Sequence, residues 1–161
     1  WQSYLVLVEA RLGALADTLG LPEHGEVSVK LTDDRQISEL NRGFRDKFGA
    51  TNVLSFPALD FSAPSEKNDF PQMPFSLGDI VLAFDTLAFE AAAAEKEFAD
   101  HLAHLLVHGL LHLLGYDHQN ESDAARMEAR ESTLLAGVGV GDPYSAVNVG
   151  TDKGKARGDK G

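Results

Sequence analysis

His108-Gly109-Leu110-Leu111-His112-Leu113-Leu114-Gly115-Tyr116-Asp117-His118 decides the reading of this chain. The run before Gly115 is strongly helical, and His108 and His112 are four residues apart in it. Both rings therefore leave the same face of one helix, about one turn apart. Gly115 permits a backbone reversal that other residues resist, and His118, three residues later, is placed to swing back toward the first two. Three imidazoles converging from a helix and the turn after it make an open metal site. Three protein ligands with a free position is the pattern of catalytic zinc, whereas structural sites are normally closed by four ligands.

The helical stripe extends upstream through His101 and His104. A rival triad of His104, His108 and His112 is excluded by length. A straight helix separates residues 104 and 112 by about 12 Å, too far for both to reach one ion at roughly 2 Å. His104 is expected to be a pocket residue or to support a ligand, and His101 to lie on the plain surface. The spacing parallels the long zinc-protease motif H-E-x-x-H-x-x-G-x-x-H, except that Gly109 replaces the Glu that acts as general base. A glycine takes no proton, so the metal geometry is kept and the protease's base is gone. A metal with a free position still lowers the pKa of a water it binds and polarises an ester oxygen. Asp117 reads equally as an acceptor orienting a ligand imidazole and as a turn-forming Asp.

The 161 residues suit one domain with a real core, and 43% hydrophobic content is ordinary for a globular chain. Cysteine is absent, so disulfides and thiolate metal sites are excluded and any metal must be held by His, Asp or Glu. No stretch is long and apolar enough to span a bilayer, and no signal peptide is visible; a cytoplasmic protein is expected. The chain begins at Trp1 and not Met, so the natural N-terminus is expected upstream. A formal charge of −11 argues against coating nucleic acid by bulk electrostatics, while leaving room for a small basic groove. Lys30, Arg35, Arg42, Arg45 and Lys47 are the densest basic group before the tail, largely offset by acidic neighbours, and read as a solvated face.

Periodicity gives the organisation. Residues 1–19 are apolar at helical spacing, with Leu5, Val8, Leu12, Leu15 and Leu19 on one side. Residues 26–31 alternate as a strand, with Val27, Val29 and Leu31 on one face. Thr32, Asp33 or Asp34 caps a helix to about Arg45 that buries Ile37, Leu40 and Phe44. A second strand covers 51–56, stopped by Pro57. Residues 58–76, with Pro64, Pro71 and Pro74, form a long loop, and loops of that length are usually mobile or functional. A third strand covers 77–84. Asp85 or Thr86 caps a helix to about Phe98, 99–114 is the histidine helix, and 121–136, capped by Asn120 or Ser122, is the last. Residues 151–161 are Gly- and Lys-rich and expected to be disordered. Helices outnumber strands without a regular βαβ alternation. The expectation is an α+β fold in one domain over 1–145, a small mixed sheet packed against several helices, with the metal site on a central helix and the turn after it, and a disordered tail over 146–161.

His108 to His118 resembles the H-G-x-L-H-L-x-G-Y-D-H signature of the YbeY family of bacterial rRNA maturation endoribonucleases. Phe44-Arg45 followed by Thr51-Asn52-Val53-Leu54-Ser55-Phe56-Pro57 is similar to its F/Y-R…T-[DN]-V-L-S-F-P block, Leu77-Gly78-Asp79-Ile80 to its L-G-D-I strand, and Asp142-Pro143-Tyr144 to its ending. The resemblance covers roughly residues 26 to 145. It implies a metal-dependent endoribonuclease directed at single strands, acting on precursor 16S rRNA in 3′-end maturation and in ribosome quality control, with the ribosome or ribosomal proteins as partners. It implies one zinc ion on His108, His112 and His118, with His108 and Arg45 in catalytic roles. Arginine's planar fork suits phosphate, although the position alone reads as a cation serving the helix C-terminus. Three imidazoles also suit nickel or copper. The resemblance further implies a strand ahead of the first helix, which this sequence lacks, and a 58–76 loop longer than in compact members. Two other readings are a metalloprotease-like hydrolase, opposed by Gly109, and a non-enzymatic ribosome-associated factor with a structural metal, which the acidic surface slightly favours.

Overall fold

The computed structural model describes residues 1–61, 63–64 and 69–145; the expected tail lies outside them. After a 3-10 turn at Gln2–Tyr4 the order is α1 (Leu5–Leu19), β1 (Gly25–Thr32), α2 (Asp34–Arg45), β2 (Val53–Pro57), β3 (Phe75–Ala83), α3 (Phe84–Ala93), α4 (Phe98–Leu113) and α5 (Glu121–Gly137). The sheet runs β1-β3-β2. β1 is parallel to β3 and β2 antiparallel to it, the small mixed sheet of an α+β fold.

The central strand is apolar on both faces: Ile80, Val81, Leu82 and Ala83 are all buried. One face takes α2, through a cluster of Ile37, Leu54, Val81 and Ala83. The other takes α4, whose Leu102, Leu105, Leu106, Leu110, Leu111 and Leu113 are buried in the main core. α4 also touches α1, α3 and α5, and a helix enclosed on this many sides must be apolar almost all round. Its histidines occupy the one stripe left open. No helix among the described residues is long and apolar enough to cross a membrane.

Gly109 is what lets α4 lie so close to the sheet. A Cβ there would meet Ile80 Cγ2 at 3.1 Å and Ser55 Oγ at 3.2 Å, and Ser55 Oγ donates to the Gly109 carbonyl. A glutamate at this position would drive into the sheet. The loss of the protease base is thus also a packing requirement.

Three expectations are corrected. Phe44 is 71% exposed; the buried face of α2 carries Ile37 and Asn41 instead, and the Phe44 ring leans edge-on against Phe56. The third helix ends at Ala93, not Phe98. Glu95 adopts a left-handed φ of 54°, and the amides of 94–96 bond back to carbonyls of Glu90, Ala91 and Ala92, a close that needs no glycine to announce it. Nor do Asp85 and Thr86 cap that helix. β3 runs straight into it, and Asp34 Oδ1 of α2 accepts from the Thr86 amide and hydroxyl. Strand ends also shift: β2 keeps Pro57 paired with Gly78, and β3 begins at Phe75. The segment between them is partly anchored, since Phe70 is buried and stacks on Phe75.

Candidate metal centre

α4 supplies His108 and His112, and the turn after it supplies His118. The turn forms where Gly115 takes φ 93°. Any Cβ there would lie 2.9 Å from both the Ala63 carbonyl oxygen and Phe61 Cβ, so the loop after β2 presses on the reversal. Asp117 Oδ1 accepts from the His118 amide at 2.7 Å; it shapes the turn. The ring of His118 then lies 5.7 Å from that of His108 and 5.0 Å from that of His112, centroid to centroid. One nitrogen from each of the three lies within 4.8 Å of the others.

For His108 and His112 the hydrogen bonds fix which nitrogens these are. His112 Nδ1 is 3.1 Å from the Tyr116 carbonyl oxygen, which only accepts, so Nδ1 carries the proton. His108 Nδ1 is 2.6 Å from Glu131 Oε1, so it too carries the proton. Neutral imidazoles so protonated have bare Nε2 lone pairs, and these two Nε2 atoms face each other at 3.1 Å. Two lone pairs at that distance repel unless a cation lies against them. Burial, then the neighbouring His108 and His118, pushes the His112 pKa down to about 4. His112 is therefore uncharged near neutrality, and the donor set of three imidazoles fits a divalent transition metal.

Glu131 is the residue that sequence reading missed. Its side chain is 1% exposed. Burial alone would raise its pKa, but hydrogen bonds from His104 and His108 outweigh that and hold it down at about 2. Oε1 takes His108; Oε2 takes His104 Nε2 at 3.0 Å and the Tyr144 hydroxyl. The signal was an acid on the apolar face of a helix, since Met127, Glu131, Leu134 and Leu135 share the buried side of α5. His104 is thus tied to His108 through a shared carboxylate. His101 corrects the expectation of a plain surface residue. Its Nε2 sits 2.8 Å from Glu90 Oε2, and Asn52, itself buried, donates to both Glu90 oxygens.

These residues line one cleft of about 1050 Å³ between α4, α5 and β2. His108, His112 and His118 line it together with His101, His104 and Lys96. Arg45, the last residue of α2, reaches the same cleft beside Leu54, Ser55 and Pro57. The arrangement offers a cation site with an open side and an arginine fork within the same cavity.

A model of the Endoribonuclease YbeY family matches residues 2–139. An Endoribonuclease YbeY of Paramagnetospirillum magneticum is 47% identical over 149 residues, covering 89% of each chain. One of Ruegeria pomeroyi is 45% identical over 152 residues, covering 90% of this chain and 92% of its own. The solution structure of a Thermotoga maritima protein covers 89% of this chain and 93% of its own with a TM-score of 0.52 at 21% identity, a likeness of fold. On the match across nearly its whole length, this chain belongs to the Endoribonuclease YbeY family.

Proposed function

We propose that the protein is a zinc-dependent endoribonuclease that cuts single-stranded RNA. Residues 1–145 form its one domain, and it acts in the cytoplasm on the 16S rRNA precursor, in 3′-end maturation and ribosome quality control, alongside the ribosome or ribosomal proteins. The observation that carries this reading is the pair of bare Nε2 atoms 3.1 Å apart on the cleft wall, with His118 beside them and Arg45 lining the same cavity.

His108, His112 and His118 would hold the ion, which supplies a Lewis acid for phosphoryl oxygens. The remaining work falls to the chain. Arg45 grips a phosphate with its planar fork and offsets the charge that develops on its oxygens. Glu131 keeps the His108 proton on Nδ1, so that Nε2 stays a lone-pair donor. The Tyr116 carbonyl does the same for His112. Tyr144 and His104 fix the far oxygen of Glu131 so that its near oxygen cannot turn away. Gly109 and Ser55 seal the floor against the sheet. The nucleophile is read from the products: a 2′,3′-cyclic phosphate marks attack by the ribose 2′-hydroxyl, and its absence marks water.

The test pairs elemental analysis with cleavage of a single-stranded RNA, for the intact chain and for His108→Ala. The intact chain should hold one equivalent of zinc and cut the RNA, and the variant should do neither. Intact protein loaded with metal that leaves RNA uncut would overturn the nuclease reading in favour of a non-enzymatic factor. Nickel or copper in place of zinc would revise the metal alone.

A further inference from the structure

Two of the most exposed large apolar side chains lie four residues apart where α2 ends. Phe44 is 71% exposed and Phe48 is 83% exposed. Neither is stray. The Phe44 ring rests edge-on against Phe56 with centroids 5.2 Å apart, and the Arg42 guanidinium lies over the Phe48 ring at 5.6 Å. Between residues 42 and 48 stand Arg42, Arg45 and Lys47 against one acid, Asp46, in a chain whose net charge is −11. Arg45 of this segment lines the cleft that holds the histidines, as does Pro57, next to Phe56. Aromatic faces interleaved with cations are how proteins bind single-stranded nucleic acid: bases stack on the rings while the cations follow the backbone.

We propose that Phe44 and Phe48, with Arg42 and Lys47, form a base-stacking platform for single-stranded RNA where the strand leaves the cleft past Arg45. This rests on the nuclease reading and adds to it where a flanking part of the substrate is held. A protein partner is the competing occupant for exposed apolar rings. The local excess of positive charge and the continuity with the cleft through Arg45 favour a polyanion.

The experiment measures binding of a fluorescein-labelled single-stranded RNA 12-mer with EDTA present, for the intact chain, Phe48→Ala, Phe48→Leu and Phe44→Ala. Loss of one stacked base should weaken binding roughly 5- to 140-fold. Phe48→Leu should fall as far as Phe48→Ala, because leucine keeps the apolar surface but offers no ring face. Phe48→Trp should bind as well as the intact chain and lose fluorescence when RNA is added. The melting temperature should not move in Phe48→Ala, which separates loss of contact from loss of fold. Unchanged RNA affinity in all the alanine variants, while the intact chain binds and cuts RNA, would overturn the platform alone. The same result with loss of a ribosomal-protein contact would assign the rings to a protein partner. An intact chain that neither binds nor cuts RNA would overturn the nuclease reading and the platform together.

Discussion

Two of the histidine–carboxylate pairs on α4 lie seven residues apart, and they are built in opposite senses. At its start, His101 gives Nε2 to Glu90. Near its end, His108 gives Nδ1 to Glu131. His104, between them, also spends Nε2 on a carboxylate. Only the pair that engages Nδ1 leaves the outer nitrogen bare, and only there does a second histidine, His112, present its own Nε2. The sequence spacing of 101, 104, 108 and 112 is a uniform stripe. What separates these histidines is which ring nitrogen the neighbouring acceptor takes.

The sharpest expected contrast is in acid. Unfolded, a histidine takes its proton near pH 6.5; in the fold His112 holds off until about 4, because of burial and then the neighbouring His108 and His118. Across that interval the unfolded chain binds more protons than the folded one, so the stability of metal-free protein falls as pH drops from 6.5, and the His112 contribution to that fall is complete near 4. The loss is about 3 kcal/mol. Glu131 adds to it from about pH 4.5 down to about 2, since the unfolded carboxyl is protonated first. Urea titrations of chelator-stripped protein between pH 7.5 and 4 measure this, and His112→Gln should flatten the slope above pH 4.5. A flat profile in the intact chain would mean that the His112 ring is neither buried nor crowded by His108 and His118 in solution.

Exchanging one carboxylate at each pair is a smaller step. Glu131→Gln removes the charge that holds the His108 proton on Nδ1, and should weaken zinc binding 10- to 100-fold, read by competition with a chromophoric chelator. Glu90→Gln should leave zinc affinity within about twofold, because its partner His101 is not in the triad. Equal losses in the two variants would erase the distinction between the pairs.

The same contrast marks what could be read in the sequence. His108, His112 and the Gly115 turn were legible because helical period and a glycine reversal are local properties. The strand β1 was legible because its burial alternates residue by residue. Glu131 was not, since its pairing with His108 depends on how α5 packs on α4. His101 was misjudged for the same reason: Glu90 reaches it from α3, and Asn52, the residue before β2, holds Glu90 there. Phe44 follows the apolar period of α2, yet α2 buries Asn41, whose amide donates to the Gly49 carbonyl. Period alone cannot tell a buried turn from one that overhangs the sheet edge. The junction at 94–97 carries no glycine or proline, and only the backbone shows it.

His101→Ala is the smallest expected effect and the one that isolates the upstream pair. It removes a hydrogen bond to a carboxylate that Asn52 continues to hold, and both His101 and Glu90 keep some solvent contact. The cost should be about 1 kcal/mol, a fall of roughly 3 °C in melting temperature for a domain of this size. Zinc content should stay at that of the intact chain, because residue 101 lies about 10 Å up the helix from residue 108 at 1.5 Å per residue and its Nε2 is committed to Glu90. Zinc loss matching that of His108→Ala would place His101 in the ion's reach and break the division of α4 into a binding end and a supporting one.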